Sequence, residues 1–429
     1  MNNTIDRTKL PPHANSITLN LVEPEMVTLD NGLVLYLIEA GEEEVSRIDI
    51  VIKAGSAFQS KKLVASSVGS LLSEGTQNFS STAIANKFDY FGAYFHTDVT
   101  KDTATLTLYS LTKHLPELLN VVGDMLVEAS FLQNEIHPHL ERKKQEFLTN
   151  FEKVRYQAVL EFNKLVFGSE SAYGQVLEIG DFQKVKRQDL VDFYQTFYTL
   201  DNTYIIVSGK TNKQVSELIN KHLGNGLRRL NGKLPDINFT GVNGEKEKFV
   251  EKKDAMQSAI RVGRPIINKL HPDYNRFVLL NTILGGYFGS RLMSNLREDK
   301  GFTYGVSSFT TNYIHGATFS IATEVNARHT QTALNEIFSE MKLLRETKVS
   351  NEELDLVKNY IYGAFLRNFD GPFALAERYQ SAKDFGLDFD YYLRSLDDIQ
   401  KITSEELLET ANKYLDPEDM IRLVVGSMN

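Results

Sequence analysis

Cysteine is absent from all 429 residues. Structural disulfides, thiolate zinc sites, iron–sulfur clusters and cysteine nucleophiles are thereby excluded. Basic charge is in short supply as well. The 47 lysines and arginines stand against 56 acidic side chains, a net charge of −9, so nucleic acid finds no electrostatic footprint. Long hydrophobic runs are missing: the uncharged stretch over residues 277–290 is broken by Asn281, Gly285 and Gly286, and a bilayer span needs roughly 20 apolar residues. The segment Met1–Arg7 carries no apolar core of a signal peptide, so the expected location is the cytoplasm, with no membrane partner. Nucleophile elbows and phosphate loops are missing too. Residues 284–290 (LGGYFGS) are glycine-rich ahead of a helix, where a phosphate could sit, yet they lack the lysine that would hold it.

Zinc signatures of either orientation, H-E-x-x-H or H-x-x-E-H, do not occur. The one close pair of histidines is His137 and His139, flanking Pro138. On a helix their side chains diverge by about 200°, so they cannot share a metal. Pro138 and the charged surroundings predict an exposed helix start there. The remaining histidines stand without partners at ligand spacing. The expectation is that this chain holds no metal or other cofactor.

What is present is a folded globular composition, 42% apolar and 24% charged, in a chain long enough for more than one domain. It reads as a duplication. The motif Val185–Leu190, Tyr198 and Tyr204–Gly209 returns as Ile402–Leu407, Tyr414 and Ile421–Gly426. Each is a capped amphipathic helix, a tyrosine turn and a buried strand closed by glycine. Earlier, Ala104–Tyr109 parallels Ala317–Ala322, both alternating as half-buried strands do, and a helical pattern follows each over 113–128 and 327–346. Residues 228–248 are rich in turn formers. The predicted fold class is therefore α+β, a tandem duplication in which each copy is an antiparallel-rich sheet with helices packed on one face. The predicted boundaries are 1–220 for the N-terminal domain, 221–245 for a linker and 246–429 for the C-terminal domain.

One segment carries a chemical suggestion. Ser290 is placed to cap a helix, Leu292, Met293 and Leu296 supply its apolar face, and Gly301 its stop. Arg297 then lies in the last turn and Tyr304 begins the following strand. Together a guanidinium and a phenol can bind a carbonyl oxygen as it becomes an oxyanion. The helix dipole alone also favours Arg297, and tyrosine is a common strand residue. Chemistry by itself leaves both readings open.

These residues, with the duplicated plan, resemble the pitrilysin/insulinase-type zinc peptidases, in the branch of two-domain subunits that includes mitochondrial processing peptidase. The stretch Leu284–Phe309 is similar to that family's G-x-x-S-R-L-x-x-x-L-R-E-x-x-G-x-x-Y segment, whose Arg and Tyr donate hydrogen bonds to the substrate carbonyl. The resemblance assigns those roles to Arg297 and Tyr304. It also places the H-x-x-E-H positions on Ser66–Ser70, counted back from Gly75-Thr76. Serine then replaces both histidines (Ser66, Ser70), Gly69 replaces the catalytic glutamate, and Asn150 stands at the third ligand, with Glu146 the nearest carboxylate. What the resemblance implies is a non-zinc subunit of a heterodimeric metalloendopeptidase acting on unfolded peptides. Zinc would reside on a homologous partner bearing H-x-x-E-H. An inactive scaffold and a peptide-binding homodimer are the alternatives.

Overall fold

The structure, a computed structural model, describes residues 21–427 apart from 212, 225, 231–234 and 240–243. The N-terminal segment Met1–Arg7 and parts of the predicted linker thus lie outside the described residues.

The chain builds two sheets in sequence. The first uses β1 (Glu25–Thr28), β2 (Val34–Glu39), β3 (Val45–Ile52), β4 (Tyr94–Val99), β5 (Ala104–Leu111) and β6 (Thr203–Gly209), in the order β1-β2-β6-β3-β5-β4. Its helices are α1 (Val64–Leu71), α2 (Ser81–Tyr90), α3 (Leu115–Val127), α4 (Gln133–Phe151), α5 (Val154–Phe167), α6 (Arg187–Phe197) and α7 (Lys213–Leu223). The second sheet uses β7 (Glu247–Glu251), β8 (Gln257–Pro265), β9 (Val306–Tyr313), β10 (Gly316–Asn326) and β11 (Ile421–Gly426), in the order β7-β11-β8-β10-β9. Its helices are α8 (Tyr274–Asn281), α9 (Thr330–Glu346), α10 (Asn351–Arg367), α11 (Pro372–Lys383), α12 (Tyr391–Lys401) and α13 (Ser404–Tyr414). In each sheet one pairing is parallel, β2 with β6 and β7 with β11, and the rest are antiparallel.

The duplicated pattern corresponds element by element. Ala104–Tyr109 lies in β5 and Ala317–Ala322 in β10, and each is the second-last strand of its sheet. The glycine-closed strands are β6 and β11, each next to a strand that follows it antiparallel. Their glycines meet the same demand twice. Gly209 has φ +117 and a Cβ there would lie 2.2 Å from the Val45 carbonyl oxygen; Gly426 has φ +151 and its Cβ would lie 2.6 Å from Ser258 Cα. Only a residue without Cβ lets the neighbouring strand begin that close.

Each sheet packs its own helices on one face, as the pattern predicts. Ile48, Ile50, Leu106 and Val207 meet α1, α3 and α6 through Val68, Leu119 and Leu190. Ile260, Val262, Phe319 and Ile321 meet α8, α9 and α13 through Phe277, Ile337 and Leu407. The opposite face is where the halves exchange material. Helix α5, from the first half, lays Ala158, Phe162 and Leu165 against Ala259, Leu423 and Val425 of the second sheet. Helix α11, from the second half, lays Leu375 and Ala376 against Tyr36, Ile38, Tyr204 and Ile206 of the first. This reciprocal cover explains why β6 is buried at every residue. It leaves Ser307 and Phe309 of β9, on the second sheet's edge, exposed.

A polar seam ties the halves together. Asp102 accepts hydrogen bonds from the Tyr173 hydroxyl (2.6 Å) and the Ile314 amide (3.0 Å). The Tyr173 ring stacks on Tyr313 at 4.7 Å, and Phe239, within the predicted linker, stacks on His315 at 4.0 Å. Burial and the Asp102 carboxylate push the Tyr173 phenol far up, so it remains a donor.

Candidate functional site

Helix α1 carries the positions where the resemblance puts a zinc motif. Its periodicity buries Val64, Ala65, Val68 and Leu71 in the first core. Ser66 turns inward on its own helix, its hydroxyl donating to the Leu63 carbonyl at 3.2 Å. Ser70 is half-buried. Gly69 faces β4 at close range: a Cβ there would meet Val99 Cγ2 at 2.8 Å and Thr97 Cγ2 at 2.9 Å. Both neighbours are β-branched and cannot swing away. Strand β4 therefore occupies the space a glutamate would need. Asn150, at the far end of α4, accepts from Lys153 at 2.9 Å, and Glu146 is exposed and paired with Lys143 at 3.0 Å. Among the described residues no three His, Cys, Asp or Glu side chains are grouped to hold a metal ion. The residues at these positions do not fit a zinc ion. Installing the missing glutamate should consequently damage the fold. Gly69→Glu is expected to cost about 1–3 kcal/mol from overpacking alone, read as a lower denaturation midpoint. An unchanged midpoint would show that β4 yields readily.

The predicted exposed helix start at His137–His139 needs correction. Helix α4 begins at Gln133, so Pro138 lies a full turn inside it, and the carbonyl it leaves unbonded belongs to exposed Asn134. His137 is exposed, but His139 is only 2% exposed, its Nε2 3.2 Å from Ser67 Oγ on α1. The divergence of i and i+2 sends the pair to opposite sides, and the inner side joins the apolar stripe of Ile136 and Phe147. That stripe was readable in the sequence; the charged neighbours masked it. Burial, followed by the charges of Arg142 and Lys143, lowers the His139 pKa to about 4. The fold thus keeps this imidazole neutral while the unfolded chain titrates near 6.5. Stability is full above that value and falls as pH drops from about 6.5 toward 4. His139→Gln should lose less of its urea midpoint than the parent chain between pH 7.5 and 4.5. Equal losses would contradict the assignment.

Met293 and Thr303–Gly305, on either side of Arg297, border a cleft of about 670 Å³; Arg297 itself is not among its lining residues and reaches it through Phe288. The floor of the cleft is the second sheet at and beyond the edge of the α5 cover, Ala259 and Arg261 of β8, Ala322 and Glu324 of β10, and Ser307 and Phe309 of β9. The walls are Arg155 of α5, the turn Gly285–Phe288 and the loop Thr303–Gly305. Residues Met293–Asp299 are wound as a π-helix, a form often found at functional sites. Gly301 ends it at φ +62, as predicted, and the Phe302 amide closes back on the Leu296 carbonyl at 2.9 Å. Ser290 does not cap through its side chain. It does stand at the helix start, its carbonyl accepting the Ser294 amide at 3.0 Å, but its hydroxyl is buried with no hydrogen-bond partner among the described residues.

Arg297 lies with its guanidinium 4.5 Å from the centre of the Phe288 ring. It makes no hydrogen bond or ion pair with any described residue, whereas Arg291, on the same segment, is held by both oxygens of Glu353 at 2.9 and 2.7 Å. Tyr304 is 94% exposed on the cleft wall. It precedes the strand rather than beginning it, since β9 starts at Val306. The loop is nonetheless fixed: the Thr323 hydroxyl donates to the Gly305 carbonyl at 3.0 Å, as does Thr303 at 2.9 Å. Two donors are thus held on anchored backbone with their polar ends uncommitted. Arg155, Arg261 and Glu324 had no signal in the sequence, because β8, β10 and α5 meet only in the folded chain. No helix among the described residues is long and apolar enough to cross a membrane.

Comparison with known proteins gives a consistent picture. Residues 35–164 match the family model described as insulinase (peptidase family M16), and residues 184–361 match the model described as peptidase M16 inactive domain. A Helicobacter pylori protein named non-peptidase homolog YmxG is 22% identical over 89% of this chain and 88% of its own length. Mitochondrial-processing peptidase subunit beta of Saccharomyces cerevisiae is 21% identical over 93% of this chain and 90% of its own. The crystal structure of a peptidase M16 inactive domain from Pseudomonas fluorescens superposes with a TM-score of 0.85 at 22% identity, covering 95% of this chain and 98% of that one. The likeness there is one of fold.

Proposed function

This chain belongs to the insulinase (M16) peptidase family, and we propose that it acts as a non-catalytic subunit of that family, presenting Arg297 and Tyr304 to a peptide carbonyl opposite a zinc-bearing partner chain. The observation that carries this reading is Arg297 itself: a guanidinium with no hydrogen bond or ion pair to a described residue, on a rigid π-helical turn beside an exposed tyrosine. Relatives named non-peptidase homolog and processing-peptidase subunit support it from outside. Zinc and the activated water belong to the partner, a homologous chain with H-x-x-E-H. The task of this chain is to bind and orient. Arg297 and the Tyr304 hydroxyl donate to the carbonyl oxygen, and their bonds strengthen as negative charge gathers there. The edge strand β9 borders the cleft and can take an unfolded peptide as an added strand. The experiment is peptide hydrolysis by this chain mixed with an H-x-x-E-H partner, with Arg297→Ala as the variant. Turnover unaffected by the variant sinks the reading.

A further inference from the structure

The cleft is lined by two arginines that the oxyanion role does not use, Arg155 and Arg261. Arg261 sits in β8, directly opposite Ala322 of β10 and Leu423 of β11. On the same face its strand neighbours are Ala259, which lines the cleft, and Gly263, which lies under Phe162 of α5. Arg261 is only 8% exposed, yet it makes no hydrogen bond and no ion pair with any described residue. Among the described residues lining the cleft the one carboxylate is Glu324, which Arg155 engages at 3.7 Å. Two cations therefore share one anion, inside a chain of net charge −9.

The duplication supplies an internal control. The residues before the two closing glycines, Ser208 and Val425, lie opposite Arg47 and Ala259, so Arg261 stands where the first half has Asp49. There the buried arginine, Arg47, is neutralised, by Asp49 at 2.8 Å and by Glu377 of α11 at 2.8 Å. In the second half Ala259 replaces that arginine, Arg261 replaces the aspartate, and α5 contributes another arginine where α11 contributes a glutamate. A buried, unpaired charge is costly. Burial, and then Arg155, lower the Arg261 pKa to about 10, which leaves it charged at neutral pH.

From this geometry we infer that Arg261, assisted by Arg155, is a binding site for a carboxylate of the peptide in the cleft, either an acidic side chain or a free C-terminus. The inference rests on the cleft holding peptide, as proposed above, and adds a substrate class to it. A carboxylate would give Arg261 the ion pairing that Asp49 and Glu377 give Arg47, accepting charge-assisted hydrogen bonds from its guanidinium.

The test is binding of a fluorescein-labelled unstructured peptide to the full chain alone, by fluorescence polarisation. Four forms are compared, with Glu or Gln at the centre and the C-terminus free or amidated. Forms with a carboxylate should bind about 10- to 100-fold more tightly than the Gln amide. Preference only for Glu, or only for the free terminus, supports the site and identifies the source. Arg261→Met and Arg261→Gln should each bring the ratio to about one, and Arg261→Lys should retain part of it; either neutral variant that folds, by circular dichroism, suffices. Equal affinity for all four forms, no binding of any form at millimolar peptide, or a ratio unchanged in the neutral variants overturns the inference. Equal affinity alongside hydrolysis that depends on Arg297 would overturn the carboxylate site and leave the subunit role standing.

Discussion

Arg297→Ala is expected to lower peptide hydrolysis by the reconstituted pair about 10²–10³-fold. The loss should appear equally in kcat and kcat/KM, because the donated hydrogen bond gains most of its strength as the oxyanion forms. Tyr304→Phe should act in the same direction through loss of one hydroxyl donor. Neither change should disturb folding. Among the described residues Arg297 contributes its contact with Phe288, worth about 1 kcal/mol, and Tyr304 is almost wholly in solvent. Zinc content and assembly with the partner should likewise be unchanged. This combination separates an oxyanion role from a structural one. A variant that falls apart, or one that turns over normally, argues for a scaffold.

The second large effect is on the fold. Gly209→Ala should destabilise the chain by about 3–5 kcal/mol, from a left-handed φ and a Cβ 2.2 Å from a strand carbonyl. That is enough to remove most soluble protein from a domain of ordinary stability. Gly426→Ala should behave alike, since it closes β11 against β8 as Gly209 closes β6 against β3. Gly180→Ala is the control: nothing lies within 4 Å of its added Cβ, and it should leave the denaturation midpoint unchanged. Equal tolerance at 209 and 180 would contradict the geometry of the strand ends.

Some of the site was legible before folding and some was not. Arg297, Gly301 and Tyr304 are close in sequence, so helix-stop chemistry and residue order sufficed to point at them. The same local rules placed Ser290 at the helix start but missed the fate of its hydroxyl, which makes no cap bond among the described residues, and they put Tyr304 in a strand that it precedes. His139 was misread for a different reason. Its burial is imposed by α1, which lies far off in sequence, and local charge outweighed a weak apolar stripe.

The sequence by itself determined the duplication and the antiparallel-rich sheets with helices. These follow from periodicity, glycine stops and residue chemistry, which act over a few turns of chain. Only the tertiary structure decided the exchange of α5 and α11 between sheets, the closure of β4 over Gly69, and the isolation of Arg261. Each depends on which surfaces meet across a hundred residues or more. An arginine's role is set by the carboxylates that fold beside it: Arg47 has two and Arg261 has none to itself.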